Sequence, residues 1–212
     1  MKVIGLDVSS NSTGWCLIES IDLKLISYGI IRGDSSMSTN QRLYFQGNEL
    51  KKLIEKYKPD EIGIEETILV RGPKIMRTLS RFSGVAIFQA YSYQKKEIYV
   101  YEPSSWKKTL GIGGNARKAV VQLDICSKFK ILTEIQVEQY KQVFEKIEKE
   151  VSDFKVIAKQ QKMSRKDINK KVKEIERQYD KASIDIYSDC GINNDIADSI
   201  GVGLAVINEI QY

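Results

Sequence analysis

KVIGLDVSSNSTGWCLIES (2–20) is the stretch whose reading decides the fold. It opens on a strand-like apolar run, KVIGLDVS (2–9), with Asp7 near its end, followed by the turn residues Ser10 to Thr13. Its second half, GWCLIES (14–20), is apolar again, and KLISYGIIR (24–32) repeats the pattern after a short link. Links this short predict an antiparallel meander, because a parallel pairing needs a crossover of about a dozen residues or more.

Working outward, residues 38–57 carry Leu43, Leu50, Leu53, Ile54 and Tyr57 at helical spacing, and Lys58-Pro59-Asp60 ends the segment. EIGIEETI (61–68) reads as a strand, Pro73 opens a helix through about Gln94, and EIYVYEP (97–103) reads as a fifth strand. Two helix-to-strand crossovers after a meander predict an α/β fold: a five-stranded mixed sheet flanked by helices. After Pro103 the pattern gives a turn and then a helix from about Asn115. GIGGN (111–115) lacks P-loop spacing, so it reads as a turn needing positive φ, and no nucleotide cofactor is expected. Residues 133–182 are rich in Lys, Glu and Gln with apolar residues at helical spacing. They predict a helical insertion within a single domain, 1–212, placed before the last helix, NNDIADSIGVGLAVINEI (193–210).

Composition narrows the chemistry. The chain has 212 residues, 42% hydrophobic and 29% charged, and no histidine. Without histidine, Ser-His and Cys-His nucleophiles, His-bound zinc and His general bases are all excluded. The net charge of +5 leans towards a polyanionic partner. Cys16, Cys126 and Cys190 lack metal-ligand spacing and are expected as reduced thiols. No apolar stretch approaches the roughly 18 residues of a membrane span, and the first residues enter a strand directly rather than a signal peptide. A cytoplasmic protein is the expectation.

Four carboxylates stand out. Asp7 and Glu65 each sit near the end of an apolar strand, and Asp195 and Asp198 stand three apart at the start of the last helix, on one side of it. Taken singly, Asp7 is an ordinary turn former and Asp195 an ordinary helix cap. Glu65 and Glu66 alternate across the sheet, so one of them can simply face solvent. Gathered together they demand a cation, and two oxygen-ligated Mg²⁺ ions, with Mn²⁺ able to substitute, suit phosphodiester hydrolysis.

The order of these motifs resembles that of the RuvC family of Holliday junction resolvases. GLDVSSNSTGW (5–15), IGIEET (62–67), FSGVAIFQA (82–90), YEPSSWKKTLGIGGNARKAVVQ (101–122) and NNDIADSIGVGLAV (193–206) are similar to its successive motifs. The resemblance implies an RNase H-like fold, a homodimer, and magnesium-dependent paired nicking of four-way DNA junctions. It implies catalytic roles for Asp7, Glu65, Asp195 and Asp198 as metal ligands, and for Lys118 and Lys107 as cations at the phosphate. Arg71, Lys74, Arg77 and Arg81, with Lys107, Lys108 and Arg117, are expected phosphate contacts on DNA. Where the family commonly has an aromatic, three residues after the second acid, this chain has Ile68, which implies relaxed sequence preference. The rival readings are an RNase H-like nuclease acting on other branched DNA or RNA, and an actin-like ATPase lobe.

Overall fold

The computed structural model describes residues 1–67 and 72–211. β1 (Lys2–Val8) pairs antiparallel with β2 (Ser12–Glu19), and β2 with β3 (Lys24–Arg32), giving the expected meander. Ser9 closes the first turn: its hydroxyl donates to Ser12 O at 2.8 Å and accepts from Ser12 N. α1 (Thr39–Tyr57) starts on a capping box in which Ser38 and Gln41 satisfy each other's backbone amides, and it ends on Lys58 at φ 49°. It carries the chain back so that β4 (Glu61–Glu65) lies parallel to β1. α2 (Pro73–Gln94) does the same for β5 (Tyr99–Tyr101) beside β4. The sheet is mixed and five-stranded, in the order β3-β2-β1-β4-β5.

Two local expectations are corrected. Residues 103–109, read as a turn, form a helix, α3 (Pro103–Thr109), with Pro103 at its first position and Trp106 N donating to Glu102 O. Seven residues are too few for apolar periodicity to show. α4 (Lys118–Lys128) begins later than Asn115, because Ala116 N donates to Gly113 O and closes a turn first. GIGGN does make the left-handed turn expected of it, with Gly111 at φ 75° and Gly113 at φ 88°.

The chain divides into two compact units. The first comprises Met1–Ala116 and Asp195–Tyr212. One face of its sheet presents Ile4, Leu6, Leu17, Ile62 and Ile64, which pack with Leu50 and Ile54 of α1 and Ala86 and Ala90 of α2. Each fully buried aliphatic side chain there contributes about 1.5–3 kcal/mol of transfer free energy. The opposite face belongs to α7 (Asn194–Gln211), whose residues Ile196 to Ile207 are buried all round, as an almost wholly apolar helix requires.

The second unit, Arg117–Asn194, holds α4, α5 (Glu134–Gln160) and α6 (Arg165–Cys190). α5 and α6 run antiparallel: Tyr140 donates to Asp189 at 2.7 Å, Gln178 to Glu150 at 2.9 Å, and the rings of Phe144 and Tyr179 lie 5.2 Å apart. The buried Gln122 of α4 ties the unit together, accepting from Ser183 at 2.8 Å and donating to Ile192 O.

All three thiols are free, yet Cys126 and Cys190 meet, with Cys126 Sγ donating to Cys190 Sγ at 3.1 Å. That hydrogen bond lowers the Cys190 pKa to about 7 and raises that of Cys126. Burial pushes Cys16 up to about 12. The thiolate is the nucleophile, so iodoacetamide at pH 7.5 is expected to alkylate Cys190 first, at a rate that climbs as pH rises through about 7. Cys16 is expected to stay unlabelled until the chain unfolds. Peptide mass mapping over a pH series checks this, and equal labelling of the three thiols would contradict it.

Candidate active site

Strand alternation and three glycines decide which acids face α7. Side chains two apart on a strand share a face. A Cβ at Gly5 would overlap Ser199 O and stand 2.6 Å from Gly203 N, so Gly5 lies directly beneath α7. Asp7, two residues on, therefore lies on the α7 side. Gly63 of β4 faces Val202 and Val206 of the same helix, which puts Glu65, and not Glu66, on that side too. The parallel register runs through Leu6 opposite Ile64, so Asp7 and Glu65 occupy the next positions along two neighbouring strands.

α7 brings the other acids to the same end of the sheet. Gly14, the cross-strand partner of Asp7, packs against the backbone of Asp195, where a Cβ would stand 2.5 Å from the Asp195 carbonyl carbon. Ser12, buried at the start of β2, donates its hydroxyl to Asp195 Oδ2 at 2.9 Å. Asp198 follows one turn along α7 and is 9% exposed. Cys16 Sγ donates to Ser199 O at 3.3 Å and pins the next turn of the helix to β2.

Glu65 is held by a residue the sequence did not single out. Trp106 of α3 is completely buried, and its indole donates to Glu65 Oε2 at 2.8 Å. An indole N–H can only donate, so it fixes one carboxylate oxygen. The Lys107 ammonium sits 5.1 Å from the centre of the Trp106 ring and brings a cation beside this pair. Asp7 and Glu65 together line a cleft of about 270 Å³ whose walls include Ile75, Met76 and Leu79 of α2. Trp106→Phe keeps most of the buried volume and removes the donor. If Glu65 is a metal ligand of a nuclease, as the resemblance implies, the substitution is expected to lower cleavage roughly 10–100-fold and to raise the metal concentration needed for half-maximal rate. A rate loss with an unchanged metal requirement would contradict a role in holding Glu65.

The donor chemistry is uniform: carboxylate oxygens and a serine hydroxyl, with no imidazole anywhere in the chain. Such a set suits a hard divalent cation. Among the described residues, no three or more of these side chains are drawn into one closed ligand group. Ser12 engages one oxygen of Asp195 and Trp106 one of Glu65, which fixes where each carboxylate points.

The basic candidates are dispersed. Lys74, Arg77 and Arg81 are exposed on α2 at spacings of three and four, on the helix that also walls the cleft. Lys107 and the exposed Lys108 lie on α3. Arg117 and Lys118 belong to the second unit, where Arg117 pairs with Glu176 and faces the Tyr179 ring, and Lys118 is exposed at the start of α4. Arg71 and Ile68 lie outside the described residues. No described helix is long and apolar enough to cross a membrane.

The sequence profile of the family described as crossover junction endodeoxyribonuclease RuvC matches residues 3–141. The RuvC protein of Wolbachia sp. subsp. Drosophila simulans (strain wRi) is 32% identical over 121 residues, 56% of this chain and 74% of that protein. That of Alkaliphilus metalliredigens (strain QYMF) is 34% identical over 124 residues, 58% and 75% of the two chains. Among solved structures, Thermus thermophilus RuvC superposes with a TM-score of 0.63 at 14% identity, covering 100% of this chain and 96% of that one. The same protein in complex with Holliday junction substrate also gives 0.63, at 12% identity and 95% of its length. At these identities the structural likeness bears on the fold alone, which is RNase H-like. With two-thirds of its length matched by the family profile and the motifs in the family's order, the chain belongs to the RuvC family of crossover junction endodeoxyribonucleases.

Proposed function

We propose that this protein resolves four-way DNA junctions by paired, metal-dependent hydrolysis of phosphodiester bonds. The observation that carries the reading is the convergence of Asp7, Glu65 and Asp195 at one end of β1, on the face covered by α7. Relatives named crossover junction endodeoxyribonuclease, and a structural neighbour solved with Holliday junction substrate, support the choice of substrate.

In this reading Asp7, Glu65, Asp195 and Asp198 hold two Mg²⁺, or Mn²⁺ in their place, and the ions supply an activated water and charge stabilisation at the leaving oxygen. Trp106 holds Glu65 in one orientation, and Ser12 does the same for Asp195. Lys107, beside Trp106, offsets negative charge on the phosphate, a role shared with Lys118. Lys74, Arg77, Arg81 and Lys108, with Arg71 and Arg117, contact the DNA backbone. Two copies of the chain act together, so that opposing strands are cut as a pair. The segment at about 133–182 is a helical insertion in a nuclease that works in the cytoplasm.

The test is a labelled synthetic four-way junction beside a flap and a linear duplex, each with Mg²⁺ or EDTA. Ligatable nicks on the junction alone, with metal alone, are expected. Equal cutting of every branched substrate would leave a metal nuclease without junction selectivity. Junction binding without any cutting would make the protein a binding module.

A further inference from the structure

The positive charge of this chain is concentrated in one place that the proposed nuclease chemistry does not use. Residues 155–173 contain eight Lys and Arg against one acid, Asp167. The whole chain has 33 Lys and Arg against 28 Asp and Glu, so without these 19 residues it holds 25 against 27. They form the end of α5, the turn at 161–164 and the beginning of α6, which is the tip of the antiparallel hairpin. All eight cations are exposed, and among the described residues only Lys171 is ion-paired, with Glu174 at 3.2 Å. The family profile ends at residue 141, so the tip lies beyond the residues it matches.

Helix stability does not account for this distribution. Lys155 and Lys159 sit near the C-terminus of α5, where the helix dipole favours cations. Arg165, Lys166 and Lys170, however, occupy the first turns of α6, where the dipole is already positive and acids are the stabilising choice. Only Asp167, whose amide is capped by Ser164, follows that rule. Cations placed against the dipole, unpaired and exposed, form a surface suited to a polyanion outside the chain.

We infer that the tip of the α5–α6 hairpin is a second DNA-binding surface, which grips the phosphate backbone of a duplex arm without reading its sequence. The inference rests on the proposed DNA substrate and adds a contact area on the second unit. Phosphate contacts of this kind release counterions, and each one lost reduces the slope of log affinity against log salt by about 0.9.

The experiment compares Lys162→Gln/Arg165→Gln/Lys166→Gln/Lys170→Gln with a control of equal charge change elsewhere on the hairpin, Lys141→Gln/Lys146→Gln/Lys149→Gln/Lys181→Gln. Binding to a four-way junction and to a linear duplex is measured from 50 to 200 mM salt, in full-length protein. The tip variant is expected to lose at least about tenfold in affinity for both DNAs and roughly two to four units of slope, with its melting temperature unchanged or raised. Its cutting rate at saturating protein is expected to match the wild type. Unchanged affinity and slope in the tip variant would overturn the inference. So would equal losses in the control, since net charge alone would then be responsible. Tip-dependent sedimentation with anionic lipid vesicles, without DNA binding, would also overturn it. A wild type that binds DNA through the tip but cuts no junction would preserve this inference and remove the nuclease reading.

Discussion

Asp7→Asn is expected to leave junction binding intact while cleavage falls at least about a thousandfold, a loss of roughly 4 kcal/mol of transition-state stabilisation. Asparagine has nearly the same size and shape, and β1 holds this position by backbone pairing to Gly14, which the substitution does not touch. What disappears is one negative charge at the end of β1, where Glu65 and Asp195 also converge. A neutral amide binds a hard divalent cation far less well than a carboxylate does. In the proposed reading the DNA is gripped by cations elsewhere in the chain, so affinity in a gel-shift titration is expected to stay level or improve as an anion is removed. Cleavage within tenfold of wild type would contradict a metal-ligand role for Asp7. Lost binding in a folded variant would contradict the division between cutting and gripping.

The second large effect is structural. Gly5→Ala is expected to destabilise the first unit by about 3 kcal/mol or more, lowering its melting temperature by roughly 6–12 °C. The new methyl would overlap Ser199 O and press on Gly203 N, both of them backbone atoms of a buried helix with no rotamer to yield. α7 must then lift away from β1, which also carries Asp195 and Asp198 from the strand-borne acids. Cleavage is therefore expected to fall with stability, and added Mg²⁺ should recover neither fully. Calorimetry together with a junction assay well below the variant's melting temperature separates the two losses. An unchanged melting temperature would show that α7 does not approach the sheet this closely.

Much of this was legible in the sequence, for identifiable physical reasons. The meander showed itself through alternation and links too short for a crossover. α1 and α2 are long enough for apolar periodicity to emerge, and Ser38 and Pro73 mark their starts. The pairing of Asp7 with Gly14 follows once the first turn is known. The choice of Glu65 over Glu66 came only from the family resemblance of IGIEET, because in physical terms it depends on Gly63 lying beneath Val202 and Val206 of a helix far along the chain. The role of Trp106 has no local signal in the sequence for the same reason: its carboxylate partner is 41 residues away, and the short α3 that presents it has no periodic signature. Ser12 looked like one more small turn residue among several, though its hydroxyl reaches across 183 residues to Asp195. Cys126 and Cys190, 64 residues apart, meet only because α4 and α6 pack together. Local order is written locally, whereas the contacts that hold the acids in place are not.

The most direct test uses a supercoiled plasmid that extrudes a cruciform, incubated with the protein and Mg²⁺ and sampled over time. If two copies act as the proposed pair, linear DNA cut at the cruciform is expected, with little free nicked circle, because both opposing incisions would follow from one binding event. No product is expected in EDTA or with Asp7→Asn. Linear product with EDTA present, or undiminished cutting by Asp7→Asn, would contradict the claim that these carboxylates resolve junctions with a bound metal.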